Sequence, residues 1–301
     1  MKLLITGAWN YSREQVARLR ELGHNLIFQQ QEKDALVCDA SEVEGVICNG
    51  LFLYHDIKEF KKLKYIQLTS AGYDRVPLDY IDAKKIKIFN ARGVYSKPMA
   101  EFVVSGVLQL YKQSRFFYEN QKFKKWVKHR ELLELCDKTI LVVGCGSVGT
   151  ECAKRFKAFD CNVIGVDLIP YESEYFSEMS GINGLDNKLS RADVVVLTLP
   201  LTEKTKGLFN ADRFEKMKNG AVLVNIARGA IVDESALLRA LDEKLFGAVL
   251  DVFEEEPLNE KSGLWDKANV IITPHNSFVG DKDSIRLYNL ITQNLSIVNR
   301  G

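Results

Sequence analysis

Three short segments end apolar runs with polar groups whose chemistries fit together: Asn225-Ile226-Ala227-Arg228-Gly229, Asp251-Val252-Phe253-Glu254-Glu255-Glu256-Pro257 and Thr273-Pro274-His275. A guanidinium such as that of Arg228 can grip a carboxylate through a forked pair of hydrogen bonds and polarise a neighbouring carbonyl. An imidazole such as that of His275 titrates near neutrality and can exchange a proton with that carbonyl oxygen. A Glu beside the ring would hold its orientation and favour the charged form. Residue type alone leaves open which of the three glutamates does so. Singly, each group has a plainer reading: a surface Arg, a solvated charge run, a structural His. Jointly they suit reduction of a carbonyl next to a carboxylate, a reaction that needs hydride as well as a proton.

A hydride carrier is suggested upstream. Gly144-Cys145-Gly146-Ser147-Val148-Gly149 forms a G-x-G-x-x-G between a strand-like run and a helix-like run. Gly144 permits the tight turn, Gly146 lets backbone approach a pyrophosphate, and Gly149 lets the helix pack close to the strand. The helix N-terminus would then face the phosphates. Asp167 ends the next strand-like run, close to the spacing of about 20 residues expected for a ribose-binding acid. An acid there binds the ribose hydroxyls of NAD and repels the 2′-phosphate of NADP, so the cofactor is expected to be NAD. Cys145 reads as a small residue in a tight turn, with no redox role.

The elements that must position these groups alternate between strand and helix. Expected strands in the first third are 2–6, 26–29, 45–48, 65–69 and 87–90. A second series covers 139–143, 162–166, 194–199, 222–226, 248–252 and 270–273. Short Val/Ile/Leu runs separated by amphipathic stretches signal parallel sheets. Six strands after residue 138 match a complete doubly wound dinucleotide domain, in which ligands bind beyond the carboxyl ends of the strands. A helix is expected over 11–22, stopped by Gly23, and a long one begins near Pro98. The tail 284–298 reads as one amphipathic helix.

Composition narrows the class. The chain has 301 residues, with 41 Lys+Arg against 40 Asp+Glu and a formal net charge of +1. That balance disfavours a nucleic-acid binder working through bulk charge. The one basic run, Lys122, Lys124, Lys125, Lys128, His129 and Arg130, carries Phe123 and Trp126 but no nucleic-acid motif. The six cysteines form no C-x-x-C pair, so no metal site is expected. No leader and no apolar run of about 20 residues is seen, so neither secretion nor a membrane span is expected. A reducing, cytoplasmic setting is the simplest reading.

The chain resembles the D-isomer specific 2-hydroxyacid dehydrogenase family, from about Tyr65 to His275. Supporting segments are Ser70-Ala71-Gly72-Tyr73-Asp74, Ala100-Glu101, Leu199-Pro200-Leu201-Thr202 with Thr205, Gly207-Leu208-Phe209-Asn210 and Val232-Asp233-Glu234. The resemblance implies a catalytic trio of Arg228, Glu256 and His275, Glu256 being the acid directly before a Pro. It implies that Ala71 and Gly72 cradle the substrate carboxylate. It implies cofactor contacts from Ser147, Val148, Leu199, Pro200, Thr205, Ile226, Ala227 and Asp251, beside Gly144, Gly146, Gly149 and Asp167. Asp233 also matches a family position but reads as a helix N-cap.

The implied fold class is α/β with two doubly wound parallel-sheet domains. A Rossmann NAD-binding domain, 98–276, is inserted in a flavodoxin-like substrate domain made of 1–97 and 277–301. The active site is expected in the cleft between them, with closure excluding water. The implied activity is NAD-dependent interconversion of a 2-oxo acid and a D-2-hydroxy acid, by a homodimer joined through the NAD-binding domain. A catalytically weak NAD(H)-sensing regulator of the same fold is the alternative. After His275 the sequence departs from the family's small residues and Thr, reading Asn276-Ser277-Phe278-Val279-Gly280. Leu51, Phe52, Leu53 and Tyr54 either line the pocket for the substrate side chain or pack on the core; both readings stand at this level.

Overall fold

The structure, a computed structural model, describes residues 1–299. It divides into two compact units, Met1–Tyr95 with Gly280–Gly301 and Ser96–Val279.

The first unit holds β1 (Lys2–Thr6), α1 (Arg13–Glu21), β2 (Asn25–Gln29), β3 (Gly45–Cys48), β4 (Tyr65–Leu68), α2 (Leu78–Ala83) and β5 (Lys87–Phe89). The strands form a parallel sheet in the order β2-β1-β3-β4-β5. Alternate side chains feed opposite faces: Leu4 packs with Val46 and Ile66 on one side, and Leu3 and Ile5 with Ile47 and Tyr65 on the other. Ser12 starts α1 through a capping box with Gln15, satisfying two donors that a bare helix end would leave unpaired.

The second unit opens with α3 (Ser96–Tyr111) and α4 (Ser114–Lys122). It continues with β6 (Thr139–Val143), α5 (Ser147–Lys157), β7 (Asn162–Asp167), β8 (Glu178–Gly181), α6 (Leu185–Leu189) and β9 (Val194–Leu197). It ends with α7 (Ala211–Lys216), β10 (Val222–Asn225), α8 (Glu234–Glu243), β11 (Gly247–Leu250) and β12 (Val270–Ile272). Seven parallel strands run in the order β12-β11-β10-β9-β6-β7-β8. Ile140 and Val142 face one core, Leu141 and Val143 the other. Burial on both faces is why these strands read as unbroken apolar runs. The seventh strand, β8, is an edge strand of sequence Glu-Met-Ser-Gly; half-exposed and without an apolar run, it gives no signal of its own.

Helix α9 (Asp283–Asn299) returns to the first unit, seating Leu287, Ile291 and Leu295 against Leu3, Ile5 and Leu19. Its Asn294 donates to Gln67 Oε1 at 2.8 Å, inside the unit.

The run 51–54 divides in two. Leu51 is fully buried, Phe52 packs edge-on against Phe60, and Leu53 and Tyr54 are exposed. For Leu51 and Phe52 the core reading therefore holds, and a pocket-lining role is left to Leu53 and Tyr54.

Candidate active site

Because every strand of the second unit is parallel, β6, β10, β11 and β12 all end on one edge of the sheet. The strand order reverses between β6 and β9, the switch point at which doubly wound sheets take a dinucleotide.

At that point the glycine loop has the shape expected of it. Gly144 has φ +96°, and a Cβ there would lie 2.5 Å from Leu199 N. A Cβ at Gly149 would lie 2.2 Å from Gly144 O, so the third glycine is what seats α5 against the strand. Gly146 caps α5 with no side-chain bond, and a Cβ on it would meet nothing within 4 Å. Helix N-terminal N–H groups beside open space make a cradle for an anion, and a pyrophosphate fits that donor set. Asp167 accepts from Cys145 N at 2.5 Å and from Leu168 N at 2.7 Å. Each of its oxygens keeps lone-pair capacity for a ribose hydroxyl. Cys145 is buried; that burial, and then the Asp167 charge, push its thiol up to about 12, which makes it a poor nucleophile.

Three groups absent from the expected list also hold this loop. Thr198 Oγ1 donates to Gly144 O at 2.5 Å. Tyr171 donates to Cys145 O at 2.6 Å, and Thr150 lies 3.0 Å from the Tyr171 hydroxyl. None belongs to the glycine motif, and no spacing rule would have found them.

Leu199, Ile226 and Ala227 are buried at the strand ends, while Pro200 is exposed. Thr205 accepts from Thr202 N and donates to Pro200 O, both at 2.7 Å, so its hydroxyl locks the turn after β9. Asp233 caps α8, accepting from Ala236 N at 3.0 Å.

The three polar segments close ranks at the ends of β10, β11 and β12. Asn225 folds the first: its amide donates to Arg228 O at 3.1 Å and accepts from Ala227 N at 3.1 Å. Arg228 is half-buried and donates to Ala227 O. Gly229 then lies against the second segment so closely that a Cβ would fall 1.8 Å from Phe253 C. Glu256 Oε1 accepts from Phe253 N at 3.1 Å, and its Oε2 lies 2.8 Å from His275 Nδ1. The structure thus pairs His275 with Glu256, the acid that the resemblance singles out. Glu256 thus engages Nδ1 and not Nε2 of the ring.

His275 has φ +51°, a left-handed conformation that costs a non-glycine residue about 1–3 kcal/mol and collects at functional sites. The fully buried Asp251 holds it there. Its carboxylate accepts from Thr273 Oγ1 at 2.6 Å, Asn276 N at 2.7 Å and Ser277 N at 2.9 Å, and its carbonyl accepts from His275 N at 2.8 Å. The visible role of the Asp251 side chain is support of the His275 loop. Phe278 stands edge-on to the imidazole with ring centroids 6.3 Å apart, so the departure after His275 places an aromatic wall beside the ring.

In the first unit, Ala71 and Gly72 follow β4. Asn90 donates to Ala71 O at 2.6 Å and Ser70 Oγ to Gly72 O at 3.4 Å. A trans peptide is planar, so holding the Ala71 carbonyl turns the Gly72 N–H to the opposite side.

Comparison with known proteins agrees with this geometry. Residues 104–277 match the family described as D-isomer specific 2-hydroxyacid dehydrogenase, NAD binding domain. Glyoxylate reductase of Thermofilum pendens is 31% identical over 301 residues, covering 97% of this chain and 83% of its own. D-3-phosphoglycerate dehydrogenase of Methanocaldococcus jannaschii is 32% identical over 308 residues, covering 100% of this chain and 58% of its own. The chain spans about half the length of the phosphoglycerate dehydrogenases it matches, 42% for that of Archaeoglobus fulgidus. Among solved structures, D-lactate dehydrogenase of Aquifex aeolicus, complexed with NAD and lactic acid, superposes with a TM-score of 0.81 at 26% identity, over 100% of this chain and 96% of that one. The chain belongs to the D-isomer specific 2-hydroxyacid dehydrogenase family and carries its NAD-binding domain.

Proposed function

We propose that the protein interconverts a small 2-oxo acid and the D-2-hydroxy acid, with NAD as cofactor. The observation that carries this reading is the His275–Glu256 pair, 2.8 Å apart, at the strand ends beside the Arg228 loop. NAD, when bound, supplies or accepts the hydride at the carbonyl carbon. Arg228 binds the substrate carboxylate and polarises the carbonyl. His275 Nε2 gives its proton to the carbonyl oxygen in reduction and takes it back in oxidation. Glu256 holds the ring orientation and fixes the tautomer through Nδ1. Ser147, Val148 and Asp167 hold the dinucleotide, with Leu199, Pro200, Ile226 and Ala227 as its walls. A pure nucleotide sensor would have no use for a His held in a left-handed turn and paired with a Glu.

We assign two further features to this reading. The segment after α4 bears Phe123, Trp126 and Val127 at 65%, 95% and 47% exposure, which suits an arm that joins two NAD-binding domains in a homodimer. The six cysteines are all free thiols, which suits a reducing cytoplasm.

Loss of NADH absorbance with glyoxylate, hydroxypyruvate, pyruvate, phosphohydroxypyruvate and branched 2-oxo acids tests the activity and names the substrate. His275→Ala is expected to lower kcat by about 10²–10⁴ on the best of these. Near-normal turnover in that variant would reject the assignment.

A further inference from the structure

We propose that Tyr171 is a positioning residue for the dinucleotide, acting through the Cys145–Gly146 peptide of the glycine loop; the proposal rests on the NAD reading above. Tyr171 lies beyond β7, outside the motif, with 42% of its surface exposed. Its hydroxyl donates to Cys145 O at 2.6 Å. Thr150, in the first turns of α5, lies 3.0 Å from that hydroxyl and also donates to Cys145 O at 3.3 Å. The other end of the same residue is held by Asp167, which accepts from Cys145 N at 2.5 Å. Both backbone groups of Cys145 are therefore gripped by the end of β7 and the segment that follows it.

The consequence follows from peptide geometry. Across a planar trans peptide the C=O and the next N–H point in opposite directions. Drawing the Cys145 carbonyl towards Tyr171 turns the Gly146 N–H away from it, and with it the start of α5. Gly146 has open space where a Cβ would stand, and α5 has no side-chain cap to occupy its first N–H groups. Tyr171 thus sets the angle at which the loop and helix N-terminus present their donors to the pyrophosphate. It contributes no charge, so it acts alike on dinucleotides with and without a 2′-phosphate. Discrimination between them stays with Asp167, whose carboxylate is the charge at that end of the loop.

The test is fluorescence titration of NADH and NADPH into wild type, Tyr171→Phe and Asp167→Ala. Loss of one hydrogen bond of about 0.5–1.5 kcal/mol predicts a rise in Kd of about 2- to 12-fold. Tyr171→Phe is expected to raise Kd for NADH and NADPH by the same factor and to leave the apo melting temperature in place. In turnover the loss should fall on KM for NADH and not on KM for the 2-oxo acid. Asp167→Ala should instead change the NADH-to-NADPH ratio. Unchanged Kd values in Tyr171→Phe overturn the proposal while an altered ratio in Asp167→Ala keeps the NAD reading. Failure of wild type to bind NADH overturns both. Should Tyr171→Phe not fold, Thr150→Val removes the second group on the same carbonyl: a parallel rise in both Kd values supports the proposal, and unchanged values overturn it.

Discussion

At the scale of single residues, the proposed reaction depends on atoms with little room to move. Gly229 shows this most plainly. Its Cα stands where any Cβ would fall within 2.3 Å of the Phe253–Glu254 backbone. Gly229→Ala must therefore push the Arg228 loop off the segment that carries Glu256. A displacement of about 1 Å at a reacting group can cost 100-fold in rate, so kcat/KM should fall at least that far, with NADH affinity retained. A variant with wild-type kcat/KM would show that the contact between the two loops is dispensable. Residue type made Arg228 and His275 candidates in advance. The choice among Glu254, Glu255 and Glu256 needed the family resemblance, and the 2.8 Å contact with Nδ1 then gave it a physical basis.

At the scale of elements, strand order does the positioning. Segments some 20 to 30 residues apart in the chain end side by side because β10, β11 and β12 are neighbours in one parallel sheet. That much was legible, since fully buried parallel strands announce themselves as apolar runs. The edge strand β8 and the helix α4 were not, because neither buries enough apolar surface to leave a pattern; α4 has no buried residue at all. Beyond α4, Trp126 is 95% exposed, and Lys122 and Lys125 lie 5.9 Å and 5.7 Å from the Phe123 ring centroid. If this arm joins two copies, Trp126→Glu should lower the mass measured by sedimentation from dimer to monomer, since an interface core tolerates no unpaired carboxylate. An unaltered dimer would place the interface elsewhere.

At the scale of the whole molecule, pH acts on stability through a buried base. His24 is 5% exposed, and its Nε2 is buried without a hydrogen-bond partner. Burial, and then the Met1 ammonium 3.4 Å from Nδ1, lower its pKa below the usual 6.5. A group depressed in the folded state binds its proton more readily once unfolded. Its contribution is therefore fully present above about pH 6.5 and is lost as pH falls through the folded value. The urea midpoint should drop across that window in wild type and drop less in His24→Gln. Equal slopes in the two proteins would assign the acid sensitivity to other groups.

The sequence by itself determined which chemistry was available. Apolar runs fixed the strands, three glycines and Asp167 marked a dinucleotide site, and Arg228 and His275 lay at strand ends, because these properties belong to one residue or its near neighbours. Only the tertiary structure decided what holds those groups in place. Tyr171, Thr198 and Asn90 act by donating to backbone carbonyls of other segments, and Asp251 acts by gathering the donors of a turn that begins 22 positions downstream. Such bonds have no spacing rule, since most of the partners are backbone groups that nearly every residue carries. The run 51–54 was ambiguous for a related reason: apolar character drives a side chain out of water equally well into a core or a pocket. Packing against Phe60 placed Phe52 in the core and left Leu53 and Tyr54 at the surface.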